Sequence, residues 1–231
     1  MSLFSTEVVA AGSKSDKFLR TISDLTKLIP HSDWFIAGGA AIDSTTASDI
    51  DVFFTSPLAF RQALAVIPAA FAIKSVHAYD IDYFNFPVQF IFNSTGTPHE
   101  ILSHFDLYCC RKAYLPDGST YVHPTYSSLV SIDQSSVRAG LASRVGKYVF
   151  SKNLEPDYDN LVSTVSYLMA TGDVKVSICY GGTDKKVLES HSFIASNLVD
   201  HFKYIGKESP LYPMRTKFFD LLGQEAPEAL I

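Results

Sequence analysis

Near the start of the chain, apolar residues recur at helical spacing. Phe18, Ile22, Leu25 and Leu28 fall three or four apart in "SKSDKFLRTISDLTKLI". That spacing predicts a helix over about residues 13–29, with Ser or Asp as its N-cap and Pro30 as its stop. The period then changes. "DWFIAGG" reads as a short buried strand ending at Gly38-Gly39, and "SDIDVFF" as a second strand in which Asp alternates with apolar residues. Pro57 opens a helix that runs to about Ile67. "KSVHAYDIDYFNFPVQFIFN" reads as two strands joined at Asn85-Phe86-Pro87, its aromatic and β-branched residues favouring sheet. "PHEILSHF" predicts a short helix with Pro98 in its first turn. "DLYCCRKAYL", the turn "PDGS" and "TYVHP" predict a hairpin, with Cys109 and Cys110 on opposite faces of a strand and one or both in the core.

After about residue 125 the pattern turns helical, in "SSVRAGLASRVGKYVFS" and "YDNLVSTVSYLMA", with Gly172 placed to end the second. "VKVSICYGG" predicts one more strand, followed by a helix over roughly residues 184–203 and a fraying tail, "GQEAPEALI". The glycine pair at 181–182 reads as a turn, since no Asp-x-Asp follows it. The layout is α+β: a mixed sheet flanked by helices over residues 1–125, then a mainly helical region over 126–231.

Composition narrows the class. At 231 residues the chain is long enough for a real core, and with 47% hydrophobic and 19% charged residues general disorder is excluded. A net charge of −5 argues against a surface coated for bulk nucleic-acid binding, though not against a local basic groove. The three cysteines form no CxxC pair, which excludes a zinc ribbon and fits a reducing compartment. No stretch approaches the roughly 18 apolar residues of a membrane span. "MSLFSTEVVAAGSKSDK" lacks the basic start of a signal peptide, so the expectation is a cytoplasmic protein without a membrane partner.

The chemistry concentrates in "FIAGGAAIDSTTASDIDVFF". Side chains alternate along a strand, so Asp49 and Asp51 share a face while Ile50 and Val52 share the other. Two carboxylates held together call for a cation, and oxygen-only ligands select a hard one, Mg²⁺ or Mn²⁺. Gly38-Gly39, at a strand end and helix start, let phosphate approach backbone N–H groups without Cβ obstruction. The Asp pair would then hold the metal of a triphosphate resting on the glycines.

This order of parts resembles the DNA polymerase β-like nucleotidyltransferase superfamily: an apolar strand, Gly38-Gly39, ten residues, then Asp49-Ile50-Asp51-Val52 with Ser48 before the pair. The likeness covers about residues 30–125 and extends to the minimal nucleotidyltransferases of phage and viral genomes, which would place the protein in a host cytoplasm. It implies transfer of a nucleoside monophosphate from an NTP to an acceptor, with pyrophosphate leaving. A third carboxylate is expected. Asp106 in "HFDLYCC" is the candidate, Asp80 and Asp82 are alternatives, and on "VQFIF" the acid would fall at Gln89 or Ile91 and be missing. Without it the acceptor would lack its base.

Arg144 and Lys147, three apart on one helix face, are candidates for the NTP phosphates, with Arg138 and Lys152 on other faces. Each is equally readable as a solvated cation. His99 and His104 near Cys109-Cys110 match no common zinc spacing. The aromatics from Tyr79 to Phe92 read as sheet core before base-stacking platform. A glycosyltransferase DxD would need more chain before it than 48 residues, and a haloacid-dehalogenase-type phosphatase would need Thr where Phe53 stands. Two readings remain: an NTP-dependent transferase acting on a short RNA end, a protein hydroxyl or a small molecule, and an inactive version of that fold used to bind nucleotide or protein.

Overall fold

A computed structural model describes residues 14–45, 47–75, 77–179, 186–225 and 227, with backbone alone at 14–15, 177–179 and 186–187. The stretch read above as lacking a signal peptide and the glycine pair at 181–182 lie outside the described residues, apart from the start of the first helix. The fold is α+β, and the chain divides into two compact units.

The first unit comprises the chain up to Lys74, Ala78–Thr97 and Ala113–Tyr121. Its sheet has seven strands: β1 (Trp34–Ala37), β2 (Ile50–Phe54), β3 (Ala72–Lys74), β4 (Ala78–Ile81), β5 (Val88–Thr95), β6 (Lys112–Tyr114) and β7 (Thr120–Val122). Their order is β3-β4-β5-β2-β1-β6-β7. Only the β2–β5 contact is parallel among the paired strands whose registers are resolved, and that pairing needs a long crossover. Helix α3 (Pro57–Ala65) begins it, capped by Ser56, whose hydroxyl accepts the Ala59 N–H at 3.1 Å. Helix α1 (Lys14–Leu28) buries Phe18, Ile22 and Leu25, as the spacing predicts. With Ala59 and Ala63 of α3 these cover one face of the sheet, through Trp34, Ile36, Val52, Phe54, Val88 and Phe90. The predicted aromatics are core here: Phe86 and Phe90 are buried, and Phe54 meets the Phe90 ring edge-on at 5.1 Å.

The second unit comprises Ser75–His77, Pro98–Lys112 and the chain from Val122 onward. It holds α4 (Pro98–Ser103), α5 (Leu141–Gly146), a π-helical turn over Lys147–Ser151, α6 (Tyr158–Thr171), a hairpin of β8 (Lys175–Cys179) and β9 (Lys186–Ser190), α7 (His191–Phe202) and α8 (Tyr212–Leu222). Val145, Leu161, Val165, Leu168, Ile194, Leu198, Phe202 and Phe218 are fully buried. A Cβ on Gly146 would come within 3.0 Å of the His201 ring, so α5 and α7 approach where only glycine leaves room. Gly172, at φ +32°, ends α6 as expected.

Three local expectations change. Residues 186–190 form a strand paired to β8, and the helix starts only at His191, where the Ser190 hydroxyl caps it by accepting the Phe193 N–H. Cys109 and Cys110 lie in a 3₁₀ turn rather than a strand, because the N–H groups of Cys110 and Arg111 bond back to Leu107 and Tyr108. Both thiols are buried, 4.0 Å apart, and burial pushes the Cys110 thiol well up. Finally, a short strand that the sequence pattern did not predict, β3 (Ala72–Lys74), ends at the first residue of "KSVHAYDIDYF", ahead of the expected β4.

Candidate functional site

At the end of β1 the backbone turns through Gly38, with φ +77° and ψ −148°, into the one-turn helix α2 (Gly39–Ile42). L-residues rarely adopt that φ. A Cβ on Gly38 would also stand 2.8 Å from Asp51 Oδ2. Glycine is therefore required twice over: for the turn, and so that the Asp51 carboxylate can lie against the backbone that follows β1. The antiparallel register puts Asp51 directly across from Ala37.

Asp51 heads a row that crosses the sheet. It is in register with Gln89 on β5, Gln89 with Asp80 on β4, and Asp80 with Ile73 on β3. Partners in register share a face, so the row lies opposite the core face that carries Val52, Phe90 and Ile81. Gln89 Nε2 donates to Asp80 Oδ1 at 2.8 Å. Asp49 sits just before β2, its Oδ1 accepting from the Ser48 hydroxyl at 2.8 Å. A cleft of about 510 Å³ opens there, with Ser48, Asp49, Gln89, Asp80 and Asp82 along it and Ile73 and Phe84 as apolar wall. The strand position beside Asp51 thus carries a neutral amide, and the next position along that row carries the Asp80 carboxylate. Alternation in "YDIDYF" marked Asp80 and Asp82 as candidates, but which strand they would neighbour is set by long-range register and has no sequence signal.

Asp106 belongs to the second unit, where it is buried and its Oδ2 accepts from Arg144 Nε at 3.1 Å and from Arg144 Nη2, with Arg138 Nε at 3.5 Å. Arg144 Nη1 also donates to the Ala139 carbonyl at 3.0 Å. Two of the predicted residues, Asp106 and Arg144, are therefore brought together as an ion pair. Lys147 is exposed, its ammonium 6.0 Å from the Tyr148 ring centroid. Lys152 closes the π-helical turn through its backbone N–H.

Sequence reading missed the buried Arg111. Its guanidinium reaches the Ser103 and Phe105 carbonyls, the Thr125 hydroxyl at 2.6 Å and Asp133 Oδ2 at 2.6 Å. Burial pushes Asp133 up, but bonds from Ser135 and Arg111 outweigh it and hold its pKa below the usual range. His99 stacks on His123 at 4.6 Å, and burial, with the neighbouring His99 and Arg111, holds His123 below the ordinary histidine value.

Asp49, Asp51, Ser48 and Gln89 offer oxygen donors, the set that suits a hard cation. Among the described residues no three His, Cys, Asp or Glu side chains gather as a metal group. Mg²⁺ needs only one or two carboxylates when phosphate oxygens complete its shell, so the residues fit a cation that arrives with a nucleotide.

Sheet, glycine turn and acid-lined cleft define an α+β protein with a candidate site on the sheet face opposite α1 and α3. The chain belongs to the Gabija anti-defense 2 family, whose model matches residues 12–131. That span holds Gly38, Gly39, Ser48, Asp49, Asp51, Asp80, Gln89 and Asp106 and ends before Arg138 and Arg144. Among curated proteins, none matches the chain.

Proposed function

We propose that the protein is a metal-dependent nucleotidyltransferase, moving a nucleoside monophosphate from an NTP to an acceptor with release of pyrophosphate, and that it opposes Gabija defence in this way. The observation that carries the reading is the contact between Gly38 and Asp51: a positive-φ glycine turn at the end of β1 with a carboxylate held against it. A one-turn helix has little dipole, so the glycines act here through access rather than charge. The backbone after Gly38 takes the triphosphate, and Asp49 and Asp51 hold its Mg²⁺ or Mn²⁺. The cation, when bound, offsets phosphate charge and polarises the α-phosphate. A carboxylate takes the proton of the acceptor hydroxyl, the oxygen bonds to the α-phosphorus, and the bond from that phosphorus to the bridging oxygen of the β-phosphate breaks. Asp80 is the favoured base because it lines the same cleft as Asp49, whereas Asp106 is engaged by Arg144 and Arg138.

One observation favours the second reading, a nucleotide-binding or interaction module without catalysis: Gln89 stands beside Asp51 where a carboxylate would complete the set. A single experiment separates them. The protein is incubated with each α-labelled NTP, Mg²⁺ or Mn²⁺, and a pool of RNA and protein. Label transferred by the wild type, lost in Asp80→Ala and kept in Asp106→Ala at equal folded fraction, supports the transferase. NTP binding without transfer under any condition supports the module.

A further inference from the structure

We propose that the cleft takes an extended basic polypeptide, so that the acceptor, on the transferase reading on which this rests, is a protein hydroxyl flanked by Lys or Arg. Charge is the first argument. The charged residues along the cleft are Asp49, Asp80 and Asp82, and its lining contains no Lys, Arg or His. The nearest cation in sequence, Lys74, alternates away from Ile73 and places its ammonium over the Phe92 ring at 5.4 Å, on the core side. An NTP brings its own divalent cation to the carboxylates, but a nucleic-acid acceptor meets no basic side chain of the lining, while an ammonium or guanidinium meets complementary charge.

Length is the second argument. The row Asp51–Gln89–Asp80–Ile73, whose last three residues line the cleft, crosses four adjacent strands, about 14 Å at about 4.8 Å per strand. An extended chain rises about 3.3 Å per residue, so about four residues span it. A hydroxyl held between Asp49 and Asp80, within reach of the base, would leave a residue about three positions away over Asp82. The residue beyond would meet Ile73, which is 65% exposed. Because β3 ends the strand order, the cleft runs out over an edge with no strand beside it among the described elements, and the ligand can continue past the site. A small amine would not use that exit; a polypeptide would.

Binding is read by fluorescence anisotropy without nucleotide or metal. The probes are a labelled peptide with one Ser and an Arg three residues to either side, its counterpart with Glu in place of Arg, and an oligouridylate of similar length. The Arg peptide should bind at least about tenfold tighter than the Glu peptide or the RNA and should weaken as salt is raised. Asp82→Lys and Ile73→Lys, both at exposed positions, should each weaken it on the order of tenfold. No binding of the Arg peptide, equal binding of the Glu peptide or RNA, or affinity unchanged in both variants overturns the proposal. The two readings fail separately. Cleft-dependent peptide binding with no transfer from any NTP removes the transferase alone, and transfer to RNA without peptide binding removes this inference alone.

Discussion

At Gly38 a single hydrogen carries both the fold and the site. Replacing it by Ala forces a side chain into φ +77° and against Asp51 Oδ2, 2.8 Å away. Gly38→Ala should lower stability by about 1–3 kcal/mol and abolish NTP binding, measured by denaturant titration and calorimetry; unchanged NTP affinity would detach the glycine from the site. Asp106 makes a different prediction. Its carboxylate answers two guanidiniums, so Asp106→Ala should cost about 3 kcal/mol in urea unfolding by leaving Arg144 without its counter-ion. A variant as stable as the wild type would mean that the ion pair is not structural.

Elements were legible in proportion to how local their causes are. Helix α1 follows from four apolar residues at helical spacing, and β1 and β2 from short apolar runs bounded by turn residues. The helical pattern assigned to 184–203 failed at its start because pairing with β8 outcompetes helix over Lys186–Ser190, and pairing is a long-range fact. The cysteine turn failed for a related reason: Tyr108 bonds to Ser131, and Arg111 to groups up to Asp133, which a strand reading of the segment cannot see. Within the site, Gly38, Asp49 and Asp51 were readable from one stretch of twenty residues. Gln89 and Asp80 were among several positions offered for the third acid, and the choice between them needed the parallel register of β2 and β5 and the antiparallel register of β4 and β5. Caps are local and testable in isolation. The Asp157 carboxylate accepts the Asn160 N–H at the start of α6, so Asp157→Ala should cost about 1 kcal/mol in the same unfolding assay.

Across the whole molecule, three histidines set the acid side of the stability curve. His77, His123 and His191 are each held below the ordinary value, first by burial, so the folded protein takes up their protons less readily than the unfolded chain. Their contribution is full above the unfolded value near 6.5 and is lost as pH falls below it, because the unfolded state then binds more protons. Asp133, held low, adds loss in the same direction at still lower pH. Tm should therefore fall between pH 7.5 and 5.5, and a His123→Gln variant should show a shallower fall; a flat profile over that range would contradict the assignment.

The central claim is that Asp49 and Asp51 hold a cation for a nucleotide lying on the Gly38 turn, and calorimetric titration of NTP into the protein with and without Mg²⁺ tests it most directly. The account predicts binding of at least one NTP with Mg²⁺, none measurable in EDTA, and none in the Asp49→Asn, Asp51→Asn double variant under either condition. Equal NTP affinity with and without the metal, or binding that survives loss of both carboxylates, would contradict it.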